Sequence, residues 1–277
     1  MQLYDKSAQM CSKLITEMYS TSFTLGIKTL NKKLHTPIYS IYGFVRLADE
    51  IVDTFHEFDK KKLFERFETE TFLAIDEKIS TNPVLHAFQL VVNEYNIDLK
   101  YIKAFLYSMK MDLDFSTYSD DKYSEYIYGS AEVVGLMCLK VFCNGNQQKF
   151  NELENGARSL GSAFQKVNFL RDIKSDYFER GRVYFPNVDF QQFCEIEKQK
   201  IELDIENDFK LAYQGIIGLP EEAKFGVLLA YNYYLCLFEK IKKATVPIIK
   251  NERIRVPNFQ KISMLTSSIL KKKLIGY

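Results

Sequence analysis

Apolar residues recur three and four positions apart along most of this chain, the spacing that lines one face of an α-helix. The pattern predicts helices over roughly 4–19, 37–57, 60–79, 83–95, 98–113, 122–143, 147–177, 191–214, 221–246 and 258–274. No run alternates apolar and polar residues as a half-buried strand does. Asn144-Gly145-Asn146 joins two helical patterns, not two strands. Thr36-Pro37 and Asn82-Pro83 read as an N-cap followed by proline at the first helical position. Pro186, Pro220, Pro247 and Pro257 fall between periodic segments. No linker or internal repeat divides the chain, so residues 1–277 read as one all-α domain of about ten helices.

Two of these helices carry polar residues where a core helix should have none. Segment 37–57, PIYSIYGFVRLADEIVDTFHE, contains Arg46, Asp49 and Asp53. Segment 161–177, GSAFQKVNFLRDIKSDY, contains Gln165, Asn168, Arg171, Asp172 and Asp176. At about 100° per residue, Asp53 lies about 40° and Arg46 about 60° from Asp49. On the second helix, Asn168, Asp172 and Asp176 lie within about 60° of Gln165. Each set forms one stripe, with its carboxylates one turn apart. Asp204 and Asp208 have the same spacing, but KQKIELDIENDFK is charged all round and reads as solvated surface.

Composition narrows the setting. With 37 Lys+Arg against 36 Asp+Glu, the net charge of +1 lacks the basic excess of a nucleic-acid binder. A 47% hydrophobic fraction is that of a folded globular protein. Cys11, Cys138, Cys143, Cys194 and Cys236 are odd in number and form no CxxC pair, which reads as free thiols in a reducing compartment. MQLYDKSAQMCSKL has no apolar core of a signal peptide. The runs Ala131–Phe142 and Gly226–Phe238 fall short of the ~20 apolar residues of a membrane span. A cytoplasmic protein, peripheral to a membrane at most, is expected. His35, His56 and His86 are scattered without metal-ligand spacing.

Carboxylates one turn apart in an apolar setting repel unless cations neutralise them. Mg²⁺ suits the role because it takes oxygen ligands and is shared between carboxylates and substrate phosphates. Arg46 and Arg171 can pair with the remaining phosphate oxygens. Two such stripes facing each other would grip a polyphosphate, with the apolar remainder of the cavity holding a greasy tail.

The same residues carry a family resemblance. VRLADEIVD (45–53) resembles the first aspartate-rich motif of the squalene and phytoene synthases. QKVNFLRDIKSDYFERGRVYFP (165–186) resembles their second, Q-x-x-N-x-x-x-D-x-x-x-D, with the lid segment that follows it. STSFTLGIKTL (20–30), YIYGSAEVVGLM (126–137) and RIRVPNFQK (253–261) resemble three further family elements in the expected order. The resemblance implies an isoprenoid-synthase fold, a single-domain helical bundle around a central cavity. It puts Mg²⁺, with Mn²⁺ as an alternative, on Asp49, Asp53, Asn168, Asp172 and Asp176. It puts diphosphate contacts on Arg46, Gln165, Asn168, Arg171, Tyr234, Arg253 and Lys261, and a cavity tyrosine on Tyr128. Tyr19, Thr21 and Glu132 depart from the family pattern, which has His, Lys and Gly there in many members.

The implied reaction is a transfer between two prenyl diphosphates. The leading expectation is a phytoene synthase joining two geranylgeranyl diphosphates through prephytoene diphosphate in carotenoid biosynthesis. The alternative is farnesyl diphosphate as substrate, giving dehydrosqualene, presqualene diphosphate or squalene. A non-catalytic assembly protein of the same fold is the distant third reading. No nicotinamide cofactor and no nucleic-acid partner are expected. Phe23, Tyr42, Phe44, Tyr128 and Phe164 are candidates to line the cavity and stabilise carbocations. Lys271-Lys272-Lys273 is a candidate anionic-lipid contact, and segment 177–190 a candidate lid that orders when metal and diphosphate bind, with Arg182 either its latch or a surface ion pair.

Overall fold

The computed structural model describes residues 1–114, 117–186, 188–257, 259, 260 and 263. They form helices α1 (Gln2–Tyr19), α2 (Thr21–Thr29), α3 (Lys32–Asp53), α4 (Lys60–Glu77), α5 (Pro83–Glu94), α6 (Leu99–Asp114) and α7 (Asp120–Ile127). A π-helical turn (Tyr128–Glu132) leads into α8 (Val133–Cys143), followed by α9 (Gln147–Phe178), α10 (Glu195–Ile217), α11 (Glu221–Lys243) and α12 (Val246–Asn251). Among the described residues the sole β feature is an isolated parallel bridge between Thr117 and Val183. The helix expected over 258–274 lies almost wholly outside the described residues, as do Lys261 and Lys271–Lys273.

The N-caps follow local chemistry. Asn82 Oδ1 accepts from the Val84 N–H at 3.0 Å, with Pro83 at the first helical position as expected. Pro37 behaves otherwise. α3 begins at Lys32 because Asn31 Oδ1 caps it by accepting from the Lys33 N–H at 3.1 Å. Pro37 then forfeits only the bond to the carbonyl of the exposed Lys33. Segment 122–143 is two helices, since the π turn interrupts it. There Gly129 presses on α6, and a Cβ on it would lie 2.4 Å from the Ala104 carbonyl oxygen.

Phe44 stacks face to face on Phe88 at 3.9 Å and packs on Phe67 and Phe105, tying α3 to α4, α5 and α6. It is fully buried and outside the cavity lining, so the sequence expectation for Phe44 is corrected to core packing. α9 is the spine and touches α8, α10, α11, α12 and the π turn. It lies so close to α10 that a Cβ on Gly156 would sit 2.6 Å from the Gly215 Cα. Asp120–Cys143 is long and apolar enough to cross a membrane, but 56% of its most apolar window is buried inside the protein.

Candidate active site

α2, α3, α8, α9, α10 and α11 enclose a cavity of about 610 Å³. α3 and α9 bring their C-terminal turns to its mouth. Asp49, Asp53, Asp172 and Asp176 all line it, with Arg46, Gln165, Asn168, Arg171, Tyr234 and Arg253. The two polar stripes thus converge on one space. Below them the wall is apolar, with Phe23, Tyr42, Val134, Cys138, Phe164 and Leu160 among its residues. Phe164 and Tyr234 stack at 3.8 Å, and the Tyr234 hydroxyl donates to Asn168 Oδ1 at 3.3 Å.

Every carboxylate at the mouth meets an arginine. Arg46 reaches Asp49 at 2.5 Å and also pairs with Glu50. Arg171 Nε donates to Asp172 Oδ1 at 2.9 Å, and Arg253 Nε approaches the same oxygen at 2.8 Å. Arg180 lies 3.3 Å from Asp53 and 3.2 Å from Asp176. Arg182 donates to Asp53 Oδ1 at 2.8 Å. Burial pushes the Asp49 carboxyl up to about 7, with the Asp53 charge adding to it and Arg46 opposing. Burial also lifts Asp176 to about 7, reinforced by Asp172 and opposed by Arg180. Each helix therefore holds a proton-hungry carboxylate pair that a cation would relieve.

Two participants, Asp112 and Arg180, escaped the sequence reading, and a third, Arg182, sits deeper than the sequence suggested. Asp112 on α6 is buried, and burial raises its carboxyl pKa against the pull of Arg182. It accepts from the hydroxyls of Tyr118 (2.9 Å), Tyr126 (2.8 Å) and Tyr184 (3.2 Å). Arg182 is only 7% exposed and bridges Asp53 to the Asp112 carbonyl, at 3.1 Å, so it is an interior strap and not a surface pair. Its position is set by the chain turning at Gly181, whose φ is +65°, and by Tyr184 stacking on Phe169 at 4.0 Å. Arg180 completes the set.

Tyr128 does not line the cavity. Its ring lies 5.3 Å from the Arg158 guanidinium, which is itself held by Glu132 at 2.6 Å. The π turn inserts one residue into the helical phase. Tyr126 therefore falls on the face that Ser130, Ala131, Val134 and Cys138 turn to the cavity. The departure at Glu132 is an anchor for Arg158, and Tyr19 is the platform over which Arg46 sits, 4.3 Å from the ring centre.

Asp204 and Asp208 are not plain surface either. Lys166, buried on α9, reaches Asp204 at 2.5 Å and Asp208 at 2.8 Å, and Ser162 Oγ donates to Asp208 at 2.6 Å. Asp208 keeps only 16% of its side-chain exposure and belongs to the α9–α10 seam, whereas Asp204 keeps 59%.

The donors at the mouth suit a hard divalent cation. They are all oxygens, arranged in pairs, with Asn168 and Gln165 on the α9 stripe. Among the described residues no three Asp, Glu, His or Cys side chains converge to hold an ion alone. Mg²⁺ fits such pairs, because it keeps water and takes its remaining oxygens from substrate phosphate.

The squalene/phytoene synthase family profile matches residues 16–260. The chain is 22% identical to 4,4'-diapophytoene synthase of Staphylococcus haemolyticus, with 99% of each chain covered. It is 25% identical to phytoene synthase of Arthrospira platensis, over 97% of this chain and 94% of that one. Among solved structures, a dehydrosqualene synthase superposes with a TM-score of 0.80 at 22% identity, covering 100% and 99% of the two chains. A squalene synthase from Alicyclobacillus acidocaldarius superposes with a TM-score of 0.74 at 18% identity, covering 87% and 95%.

Proposed function

The chain belongs to the squalene/phytoene synthase family, prenyltransferases that condense prenyl diphosphates head to head, and we propose that it is a phytoene synthase acting on two geranylgeranyl diphosphates. The observation that carries this reading is the cavity's reach. Along α9 its lining runs from Asp176 at the mouth to Leu153 near Gly156 and Gly215. Those 24 residues of lining helix rise about 34 Å along its axis, the length a diphosphate followed by a four-isoprene chain would need. Small residues, Gly26, Gly156, Ala157, Gly215 and Gly226, line the deep wall, where Gly156 and Gly215 also let α9 and α10 meet closely.

Mg²⁺ on Asp49, Asp53, Asn168, Asp172 and Asp176 would supply Lewis-acid stabilisation of the departing diphosphate. The chain's own cations do the rest. Arg46, Arg171, Arg180 and Arg253, now paired with carboxylates, would exchange those partners for phosphate oxygens, while Arg182 stays as the strap on Asp53 and Asp112. They stabilise charge that grows only as the allylic C1–O bond breaks, so they favour the transition state over the bound substrate. The allylic cation is captured by the double bond of the second substrate, and proton loss closes a cyclopropane ring, giving prephytoene diphosphate. A second ionisation, ring rearrangement and proton loss give the C40 triene. Phe23, Tyr42, Phe164 and Tyr234 present ring faces to these cations, and the apolar wall excludes the water that would quench them to alcohols. Tyr126, its hydroxyl held by Asp112, is the cavity tyrosine placed to steer the cyclopropyl intermediate. Segment 177–190 acts as a lid that tightens when cation and diphosphate bind together.

A second reading, farnesyl diphosphate converted to dehydrosqualene, is favoured by the end-to-end similarity to 4,4'-diapophytoene synthase. Incubation of the purified chain with each prenyl diphosphate and Mg²⁺, followed by chromatography of the hydrocarbon, separates the two. A C40 triene from the C20 substrate supports the proposal, and a C30 hydrocarbon with the C20 substrate left intact overturns it.

A further inference from the structure

α1 is built inside out. The face it turns to the body is small and polar, with Ala8, Ser12 and Thr16 fully buried. That face must be small, because α1 and α3 meet closely at Ser12 and Gly43, where a Cβ on Gly43 would lie 2.8 Å from the Ser12 Cβ. The outer face carries Leu3, Met10, Leu14 and Met18, exposed by 80%, 61%, 58% and 75%. At about 100° per residue they fall within about 80° of one another and form a ridge, unbroken from Met10 to Met18 and separated from Leu3 by the exposed Ser7. Nothing in the fold requires apolar residues there. The helix is firmly held, since the Tyr4 hydroxyl donates to the Ser80 carbonyl at 2.6 Å and Asp5 lies 2.8 Å from the buried His86. The ridge is therefore presented on a rigid support.

Charge decides what it fits. Lys6 and Lys13 are exposed along one flank of the ridge and form no ion pair among the described residues. The acidic residues of α1 are occupied, Asp5 with His86 and Glu17 with Lys28 at 3.2 Å. The free charge beside the ridge is positive. A second copy docking ridge to ridge would bring more lysine to a seam with no free carboxylate. An anionic lipid surface meets both features, apolar depth and negative headgroups. The ridge also leads to the cavity. α1 ends at Tyr19, which lines the mouth beneath Arg46.

We propose that α1 is a membrane-docking helix that lays Leu3, Met10, Leu14 and Met18 into an anionic bilayer with Lys6 and Lys13 at the headgroups, bringing the cavity mouth to the lipid. The choice of lipid rests on the functional reading above, in which a long prenyl chain must enter and a water-insoluble hydrocarbon must leave. Docking is tested without substrate, so it stands or falls separately from the chemistry. The full chain is floated with vesicles of phosphatidylglycerol and phosphatidylcholine, and with phosphatidylcholine alone. The wild-type chain should float with the anionic vesicles, and the triple variant Met10→Ser, Leu14→Ser, Met18→Ser should lose at least about tenfold in affinity, since binding scales with buried apolar area. Lys6→Gln and Lys13→Gln should each cost about fivefold on anionic vesicles and nothing on neutral ones. The chain contains no tryptophan, so Leu14→Trp is a single reporter that does not depend on the triple variant folding. Its emission should shift to the blue with anionic vesicles, and that of Leu203→Trp on α10 should not. Flotation unchanged by the triple variant, no blue shift at position 14, or a wild-type dimer that the triple variant disperses with vesicle affinity intact would each overturn the proposal.

Discussion

Two aspartate pairs with the same spacing, one on α9 and one on α10 facing α9, stand in different surroundings. Asp172 and Asp176 project from α9 into the cavity, whereas Asp204 and Asp208 project from α10 towards α9. The α10 pair shares one ammonium, Lys166, which cancels its repulsion locally and leaves no vacant coordination. The α9 pair faces an equal pair on α3 across an open space, and its partners are arginines at the mouth. Spacing therefore creates only the repulsion. What lies opposite decides whether the repulsion is cancelled in a seam between helices or left facing an open cavity.

The largest effect should come from the strap beneath the cavity pairs. Arg182→Met leaves Asp112 buried without its cation, so unfolding free energy should fall by about 3–5 kcal/mol in chemical denaturation. A loss under about 1 kcal/mol would show that the tyrosine hydroxyls alone satisfy Asp112.

Next comes catalysis. Asp172→Ala and Asp49→Ala should each lower turnover about 10²–10³-fold with the fold intact, the scale of losing one electrostatic stabiliser. Steady-state rates with saturating Mg²⁺ check this, and Asp204→Ala is the matched control that should keep full rate.

The seam should respond in stability and not in rate. Asp208→Ala strands the Ser162 hydroxyl and half of the Lys166 pairing, costing about 1–3 kcal/mol. Asp204→Ala, at an exposed position, should cost about 0–1 kcal/mol. Equal costs at the two positions would erase the distinction between them.

Acidity separates the pairs in a fourth way. Asp49 and Asp176 are raised to about 7 in the folded chain, from about 4 in an unfolded one. The folded state binds the extra protons, so their contribution is fully present below about pH 4 and is lost as pH rises through about 7. In chelator, Tm should rise as pH falls from 8 towards 5. Asp49→Asn and Asp176→Asn should flatten that rise, and added Mg²⁺ should raise Tm most at pH 8. A Tm slope unaltered by both Asn variants would place the titration elsewhere.

Much of this was legible in the chain. The stripes on α3 and α9 could be read because every member lies on one helix, where 3.6 residues per turn fixes relative direction. Asp112 was harder, because it has no carboxylate one turn away and its partners are 6, 14 and 72 residues distant. One signal was available: Tyr101, Phe105, Ser108 and Asp112 form the buried face of α6, and an aspartate there demands partners. Tyr126 was missed because the resemblance was carried onto Tyr128 two positions along, and the π turn (Tyr128–Glu132) that follows Tyr126 leaves no mark in the sequence. Asp208 was misread because the charged face of α10 meets a buried lysine on another helix, which no local pattern announces.

The most direct test is diphosphate release from geranylgeranyl diphosphate by four versions of the chain under one Mg²⁺ concentration: wild type, Asp172→Asn with Asp176→Asn, Asp204→Asn with Asp208→Asn, and wild type in excess chelator. Release should be abolished in the α9 double variant and in chelator, and retained within about threefold in the α10 double variant, a loss under about 0.7 kcal/mol in barrier. Release that continues in the α9 double variant, or that fails only in the α10 double variant, would contradict the assignment of the cavity pair as the site of ionisation.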